Sequence, residues 1–135
     1  MSETASQRFQ RTREDHKTEN AEDYVEMVQA LIVETGEARV GKLAERLGVS
    51  QVTVSKTVRR LVKEGFVFAK PYSAISLTPK GTAVADSARE RHEIVVKFLL
   101  SIGVPSAIAE TDAEGIEHHV SPVTLEAMKK MLSDG

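Results

Sequence analysis

Apolar residues recur at helical spacing in several segments of this chain, and glycine, proline and short polar stretches separate those segments. The first segment opens after Asn20, a suitable helix N-cap, and continues to about Thr35, where Gly36 ends the helix. Residues 1–20 hold one large apolar residue, Phe9, and no usable periodicity. They are therefore predicted to form a flexible N-terminal arm.

Two short helices follow with the spacing of a helix-turn-helix. Gly48 stops the first helix after Leu47, and Ser50 caps the second. The second helix has one apolar stripe, and its opposite face carries polar and basic side chains that suit the major groove of DNA. The stripe is Val54, Val58, Leu61 and Val62, and the candidate DNA-binding residues are Gln51, Val52, Thr53, Ser55, Lys56, Arg59, Arg60 and Lys63. The alternative is a structural pair of helices with a solvated basic face.

Residues 65–78 contain two short β-type runs around a Pro-Tyr-Ser turn, which predicts a hairpin. A hairpin directly after a recognition helix is a wing. Lys70, near its tip, is a further candidate contact to the DNA backbone, although an ordinary exposed turn explains the tip as well.

A long helix is predicted over about 79–101, and residues 94–100 are apolar on more than one of its faces. This surface lies either in the core or against a partner chain, so self-association is predicted. Pro105 starts a short helix, and Ser121 and Pro122 begin the last one.

Potential metal ligands concentrate near the C-terminal end of the chain. If residues 112–120 are helical, Glu114, Glu117 and His118 stand at i, i+3 and i+4 and project from one face. Two carboxylates and an imidazole crowded together suit a divalent cation, which neutralises their repulsion. The alternative is a solvated acidic helix face.

Three further side chains of ligand type stand elsewhere in the sequence. Asp23 and Glu26 are spaced i, i+3 near the start of the first regular helix, where compensation of the helix dipole explains them equally well. His92 precedes the apolar run of the long helix, and a lone histidine in that place is usually a satisfied interior residue.

The composition narrows the class of protein. The chain of 135 residues has no cysteine, so any metal is held by oxygen and nitrogen, and a reducing cytoplasm fits. No apolar run approaches the roughly 20 residues of a membrane span, and no signal peptide is apparent. The net charge is -2, yet residues 36–81 carry nine Lys and Arg against three Glu, which favours nucleic acid as the partner of this segment.

Together these segments predict a fold that is mainly α with a small β-hairpin. A winged helix-turn-helix DNA-binding domain over 21–80 follows the arm and precedes a helical dimerisation and metal-binding domain over 81–135.

The combination of a basic winged helix with Glu22-Asp23-Tyr-x-x-Glu26, Arg91-His92-Glu93 and Glu114-Gly-Ile-Glu-His-His119 resembles the DtxR/MntR family of metal-dependent repressors, in its manganese transport regulator branch. The resemblance covers roughly residues 21–133. It implies one binuclear manganese site, with two Mn²⁺ per subunit, formed by Asp23, Glu26, His92, Glu114, Glu117 and His118.

The resemblance also separates two branches of the family. In the iron-responsive branch the positions that match Asp23 and Glu114 are typically methionine and cysteine, whereas both are oxygen donors here. The chain also ends at Gly135 without the SH3-like domain usual in that branch. A manganese-responsive regulator is therefore expected, with Fe²⁺ and an iron-responsive repressor as the alternative.

The function that the resemblance implies is a cytoplasmic, homodimeric repressor that binds palindromic operators of manganese uptake genes when Mn²⁺ is bound. A dinuclear metallohydrolase is the alternative from another class, but the chain shows no separate acid, base or phosphate-binding motif, so no enzyme is expected. A sensor of organic ligands leaves the six metal-type side chains unexplained, so no small organic ligand is expected.

Overall fold

A computed structural model describes residues 4–134 of the chain, with the side chains of residues 4–7 and 20–134. The described residues form six helices and a two-stranded antiparallel sheet, which confirms the predicted fold class. In chain order the elements are α1 (Ala5–Thr35), α2 (Val40–Leu47), α3 (Gln51–Lys63), β1 (Val67–Phe68), β2 (Ser76–Leu77), α4 (Pro79–Ser101), α5 (Ser106–Ile116) and α6 (Pro122–Asp134).

The chain divides into two compact units. One unit is Asn20–Asp86, and the other joins Ser87–Gly135 with the segment that precedes Asn20. The boundaries fall within α1 and α4. We refer to Asn20–Asp86 as the N-terminal unit and to the other as the C-terminal unit. The domain limits predicted from the sequence stay a prediction.

Helix α1 begins at Ala5, so the predicted start after Asn20 is wrong and Asn20 lies inside the helix. An apolar stripe marks only the part of a helix that faces a core, and its absence before Asn20 did not mark a helix end. The predicted flexibility of residues 1–20 falls largely outside the residues whose side chains are described, and it stays a prediction.

The N-terminal unit has a core in which the helix-turn-helix is built as the sequence predicts. Leu43 of α2 and Val54 of α3 are fully buried. Gly48 ends α2 with a left-handed backbone (φ 70°), and the Ser50 hydroxyl oxygen accepts a hydrogen bond from the Thr53 backbone N–H to cap α3. The predicted inward stripe of α3 is too wide by one residue, because Val62 is 39% exposed.

The wing consists of β1 and β2, and Val67 pairs with Leu77 in its antiparallel register. Ile75 extends the pairing, since its backbone N–H donates to the carbonyl oxygen of Ala38 at 2.7 Å. This bridge joins the end of the wing to the segment just before α2, so the wing and the helix-turn-helix share one core.

The Thr78 side chain connects the end of the wing to the start of α4. Its hydroxyl donates to the carbonyl oxygen of Gly65 at 2.6 Å and accepts from the backbone N–H of Gly81 at 3.0 Å. Thr78 is therefore an N-cap of α4, with Pro79 at the first helical position. A Cβ at position 81 would overlap the carbonyl oxygen of Phe66, so this junction requires glycine.

In the C-terminal unit, Ile94 and Val95 of α4 are buried, and so are the small residues Ala109 and Ala113 of α5. The Ser121 hydroxyl accepts from the Thr124 backbone N–H at 3.2 Å and caps α6 as predicted. Several large apolar side chains of this unit remain exposed: Leu100, Ile102, Ile108, Ile116, Val123 and Met131. Among the described residues, no helix is both long and apolar enough to cross a bilayer.

Replacing Gly81 with alanine is expected to destabilise the protein by about 1 to 3 kcal/mol, because the added methyl group displaces the Phe66 backbone. The measurement is the free energy of unfolding by denaturant. Gly41→Ala is the matched control, since its added Cβ meets only a side-chain atom of Gln51 at 3.8 Å. That control is expected to be neutral or slightly stabilising. Equal stability of the two variants would contradict the close approach at Gly81.

Candidate metal centre and nucleic-acid interface

Three of the predicted metal ligands converge within the C-terminal unit. His92 of α4, Glu114 of α5 and Glu117 just after α5 each offer one ligand atom, and these atoms lie within 4.8 Å of one another. Two carboxylate oxygens and one imidazole nitrogen at this spacing are a donor set that divalent manganese or iron accepts. The donor chemistry therefore fits the metal that the sequence analysis expects.

The helix that carries Glu114 ends before Glu117 and His118. Helix α5 ends at Ile116, and Glu117 is its C-cap with a right-handed helical backbone (φ -58°, ψ -31°). The Glu117 N–H still donates to the carbonyl oxygen of Ala113 at 3.0 Å, so Glu117 follows Glu114 by almost a full turn. His118 lies beyond the helix, so the condition that residues 112–120 are helical is not met at His118.

Burial separates the two carboxylates. The Glu117 side chain is fully buried, whereas the Glu114 side chain is 65% exposed. The His118 side chain is almost fully buried, and its Nε2 lies 3.5 Å from Oε1 of Glu117. The buried Glu117 carboxylate thus has an imidazole on either side, because Nδ1 of His92 lies 3.0 Å from its other oxygen.

His92 has acidic neighbours on both ring nitrogens. Its Nε2 lies 2.7 Å from Oε2 of Glu110, and its Nδ1 faces Glu117 and, at 3.8 Å, Glu114. Burial is the largest influence and lowers the pKa of His92, but the hydrogen bond to Glu110 and the three nearby carboxylates together outweigh it, so the pKa is raised. The same negative surroundings that favour a proton on the ring favour a metal cation beside it.

Arg91 holds the end of α5 against α4. Its Nε donates to the backbone carbonyl oxygen of Glu117 at 3.1 Å, and its Nη1 donates to the hydroxyl of Ser87 at 2.9 Å. Ser87 and Arg91 lie one turn apart on α4. The contact to Ser87 therefore helps to fix the orientation of the guanidinium that bonds to Glu117. Arg91 therefore positions the backbone of a candidate ligand.

The other two predicted ligands, Asp23 and Glu26, belong to the N-terminal unit. Both lie on α1, one turn apart, and both are partly buried. The interior position of the pair within α1 removes dipole compensation as an explanation, since α1 begins at Ala5.

The predicted DNA-binding face of α3 is exposed in the structure. Six of the eight α3 candidates are exposed, namely Gln51, Val52, Thr53, Lys56, Arg59 and Lys63, while Ser55 and Arg60 are partly buried. The Nε of Arg60 lies 3.7 Å from Oε1 of Glu64, an ion pair within the helix end. Thr53 also accepts a hydrogen bond from the Ser50 hydroxyl at 2.9 Å. The cap therefore fixes the side chain of Thr53, a candidate DNA-binding residue at the start of α3.

The tip of the wing is a tight turn. The Ser73 N–H donates to the carbonyl oxygen of Lys70 at 3.1 Å, and Tyr72, the third residue of the turn, has a positive φ of 61°. Lys70 and Tyr72 are exposed, and Arg39 donates to the Tyr72 carbonyl oxygen at 3.3 Å. Arg39 was missed by the sequence analysis, because nothing in the local pattern places it beside the wing.

Family models match most of the chain. Residues 16–75 match the iron dependent repressor, N-terminal DNA binding domain. Residues 78–134 match the iron dependent repressor, metal binding and dimerisation domain.

Individual relatives agree with these matches. The chain is 51% identical over 119 residues to the transcriptional regulator MntR of Salmonella typhimurium, covering 88% of this chain and 76% of that protein. The manganese regulator SloR is a similar solved structure, with a TM-score of 0.74 and 30% identity over 84% of this chain and 53% of that one. A manganese-dependent transcriptional repressor solved in complex with manganese has a TM-score of 0.76 and 29% identity, over 84% of this chain and 52% of that one. The chain spans about half the length of these two solved chains.

Proposed function

Because the chain belongs to the iron-dependent repressor family, we propose that it is a manganese-responsive DNA-binding transcriptional repressor that acts as a homodimer. The observation that carries this proposal is the convergence of His92, Glu114 and Glu117 in a chain whose α3 exposes a basic face. The relative named MntR and the manganese-dependent repressor support manganese as the metal.

Manganese, when bound, supplies the positive charge that a cluster of carboxylates needs. Glu117, whose backbone carbonyl accepts from Arg91, would hold it with a buried carboxylate, and His92 would hold it through the nitrogen that faces Glu117. Glu114 adds an oxygen from the exposed side of the cluster. Asp23, Glu26 and His118 complete the set of six ligands that the family resemblance implies, and we propose that this set holds two ions per subunit.

Asp23 and Glu26 belong to the unit that carries the DNA-reading helix, whereas the other four proposed ligands belong to the C-terminal unit. In the proposed six-ligand site their carboxylates would repel the other acids of the set when no cation is present. Metal loading therefore favours the arrangement that binds DNA, and it does so only as far as the ligands bind metal more tightly in that arrangement. We propose this as the basis of repression by metal.

The proposed DNA contacts follow from position on α3 and the wing. Thr53 and Lys56 stand near the N-terminal end of α3, where a recognition helix meets base edges. Cations further along α3 and Lys70 on the wing are placed for phosphate contacts, which set affinity and salt dependence. The phosphate set is Arg59, Arg60, Lys63 and Lys70, and Gln51, Val52 and Ser55 complete the proposed interface.

The assembly proposal rests on the C-terminal unit. This unit matches a dimerisation domain and leaves Leu100, Ile102 and Met131 among its exposed apolar side chains. Two copies present two recognition helices, and a two-fold dimer fits a palindromic operator. We propose that these operators control manganese uptake genes and that the protein acts in the cytoplasm.

Two alternatives weigh differently. Iron(II) accepts the same donor set, so an iron-responsive repressor stays the alternative within the family. The metallohydrolase is set aside, since the family is one of DNA-binding repressors and accounts for the same ligand cluster.

Metal-dependent DNA binding tests the proposal. Duplexes are first selected from a random pool by the manganese-loaded protein, and their affinity is then measured with manganese, iron(II), zinc or a chelator. Manganese is expected to tighten binding by roughly 5- to 150-fold over the chelated protein. Glu117→Gln should lose this effect, and Glu126→Gln, which changes an exposed acid of α6, should keep it. Equal affinity with manganese and with chelator would refute metal gating, and a response to iron(II) alone would favour the iron branch.

Lys56→Ala is expected to weaken binding to the selected duplex by about 1 to 3 kcal/mol while random duplexes are affected less, because a base contact is lost. Lys63→Ala removes a cation from the last turn of the same helix and should weaken both duplexes alike, with a shallower salt dependence. Affinities of both variants are measured across a series of salt concentrations. If Lys56→Ala leaves the preference for the selected duplex unchanged, the proposed docking of α3 is wrong.

A further inference from the structure

We propose that Glu110 is a positioning residue of the metal centre, which holds the His92 ring by a hydrogen bond at Nε2 so that Nδ1 presents its lone pair to the metal. This inference rests on the proposed function, since it assumes that His92 is a metal ligand. Glu110 is not among the ligands that the sequence or the family resemblance indicates.

The two nitrogens of His92 face different carboxylates. Oε2 of Glu110 lies 2.7 Å from Nε2, while Oε2 of Glu117 and Oε1 of Glu114 lie 3.0 Å and 3.8 Å from Nδ1. The metal-ligand group of His92, Glu114 and Glu117 therefore uses the Nδ1 side of the ring. Glu110 stands on the other side.

A neutral imidazole has an N–H on one nitrogen and a free lone pair on the other. The hydrogen-bond partners of the ring decide which nitrogen carries the proton. A carboxylate only accepts, so Glu110 favours the proton on Nε2, whereas Glu117 and Glu114 compete for a proton on Nδ1 until a cation neutralises them. When a metal ion is bound, the proton stays on Nε2 and Nδ1 is the unprotonated nitrogen, which is the form that binds a metal ion. A carboxylate on the far side of a ligating histidine also raises the basicity of the ring and fixes its orientation.

The backbone places Glu110 for this role. Glu110 and Glu114 are four residues apart on α5 and so lie on the same side of it. Ala109 and Ala113, both fully buried, line the inner side of α5, and Arg91 of α4 donates to the carbonyl oxygen at its end. Helix α5 is thus fixed both along its buried alanines and at its C-terminal end, so the position from which Glu110 contacts His92 is defined.

An ordinary surface ion pair is the competing explanation for this contact. Glu110 is 58% exposed, and exposed ion pairs contribute little to stability. The His92 ring, however, is 19% exposed, and its other nitrogen faces a fully buried carboxylate. The two explanations differ in a measurable way, because a surface pair leaves the protonation site of the ring and the metal affinity unaffected.

The test compares Glu110→Ala, Glu110→Gln and the control Asp112→Ala in the full chain. Asp112 is an exposed acid on the same helix, about 200° further round than Glu110. Nitrogen chemical shifts of the His92 ring, recorded above the pKa of His92 so that the ring is neutral, report its tautomer in the metal-free protein, and calorimetric titration reports manganese affinity and stoichiometry. Helix content by circular dichroism shows that each variant is folded.

Glu110→Ala is expected to lower the population of the Nε2–H tautomer and to weaken manganese binding by roughly 10- to 100-fold with unchanged stoichiometry. Glu110→Gln keeps an acceptor oxygen and should restore most of the tautomer preference. Asp112→Ala should match the wild type in both measurements.

A Glu110→Ala variant with wild-type tautomer and wild-type manganese affinity would overturn the proposal. Loss of one bound ion would also overturn it, since Glu110 would then be a ligand itself. If the wild type binds no manganese, the proposed function fails, while the tautomer measurement still decides whether Glu110 orients His92.

Discussion

The buried carboxylate of Glu117 is the constraint on which the C-terminal unit depends. A fully buried carboxylate is costly unless opposite charge or hydrogen bonds surround it. The chain places His92 and His118 on either side of this group and holds its backbone with Arg91. A buried acid between two imidazoles, beside the more exposed Glu114, is unfavourable for folding stability alone. The same arrangement suits a site that binds a divalent cation.

The N-terminal unit solves a different problem, which is to present one helix rigidly. The Ser50 cap fixes the start of α3, the wing bridges to Ala38, and Thr78 with Gly81 closes the wing onto α4. Each contact leaves the outer face of α3 free of core contacts, and the basic side chains there remain available to DNA. Repression by metal then needs the two units to be coupled, and Asp23 and Glu26 are the residues proposed to do so.

Most of the fold could be predicted from local sequence signals, above all from the residues that mark helix ends. Gly48, Ser50 and Ser121 lie where the sequence indicates, because helix ends have backbone requirements that few residues meet. The helix start predicted after Asn20 was wrong, because a residue type suited to an N-cap also occurs inside helices. Residues 112–120 were considered as one helix, whereas α5 ends at Ile116 and Glu117 keeps a helical backbone just beyond it.

The candidate site was only partly visible from the sequence. The spacing of Glu114 and Glu117 suggests ligands, and the family resemblance adds His92. Glu110 was missed because an acid one turn before Glu114 looks like any solvated acid until α4 brings His92 beside it. Contacts between α4 and α5, not the spacing along either helix, decide which acids belong to the site.

Thermodynamic linkage tests the central claim most directly. If manganese and DNA favour the same arrangement of the protein, each tightens the binding of the other by the same factor. Manganese affinity is measured by calorimetry for the protein alone and for the protein saturated with the selected duplex. The account predicts tighter manganese binding in the presence of DNA, by the factor with which manganese tightens DNA binding. An unchanged manganese affinity would contradict it.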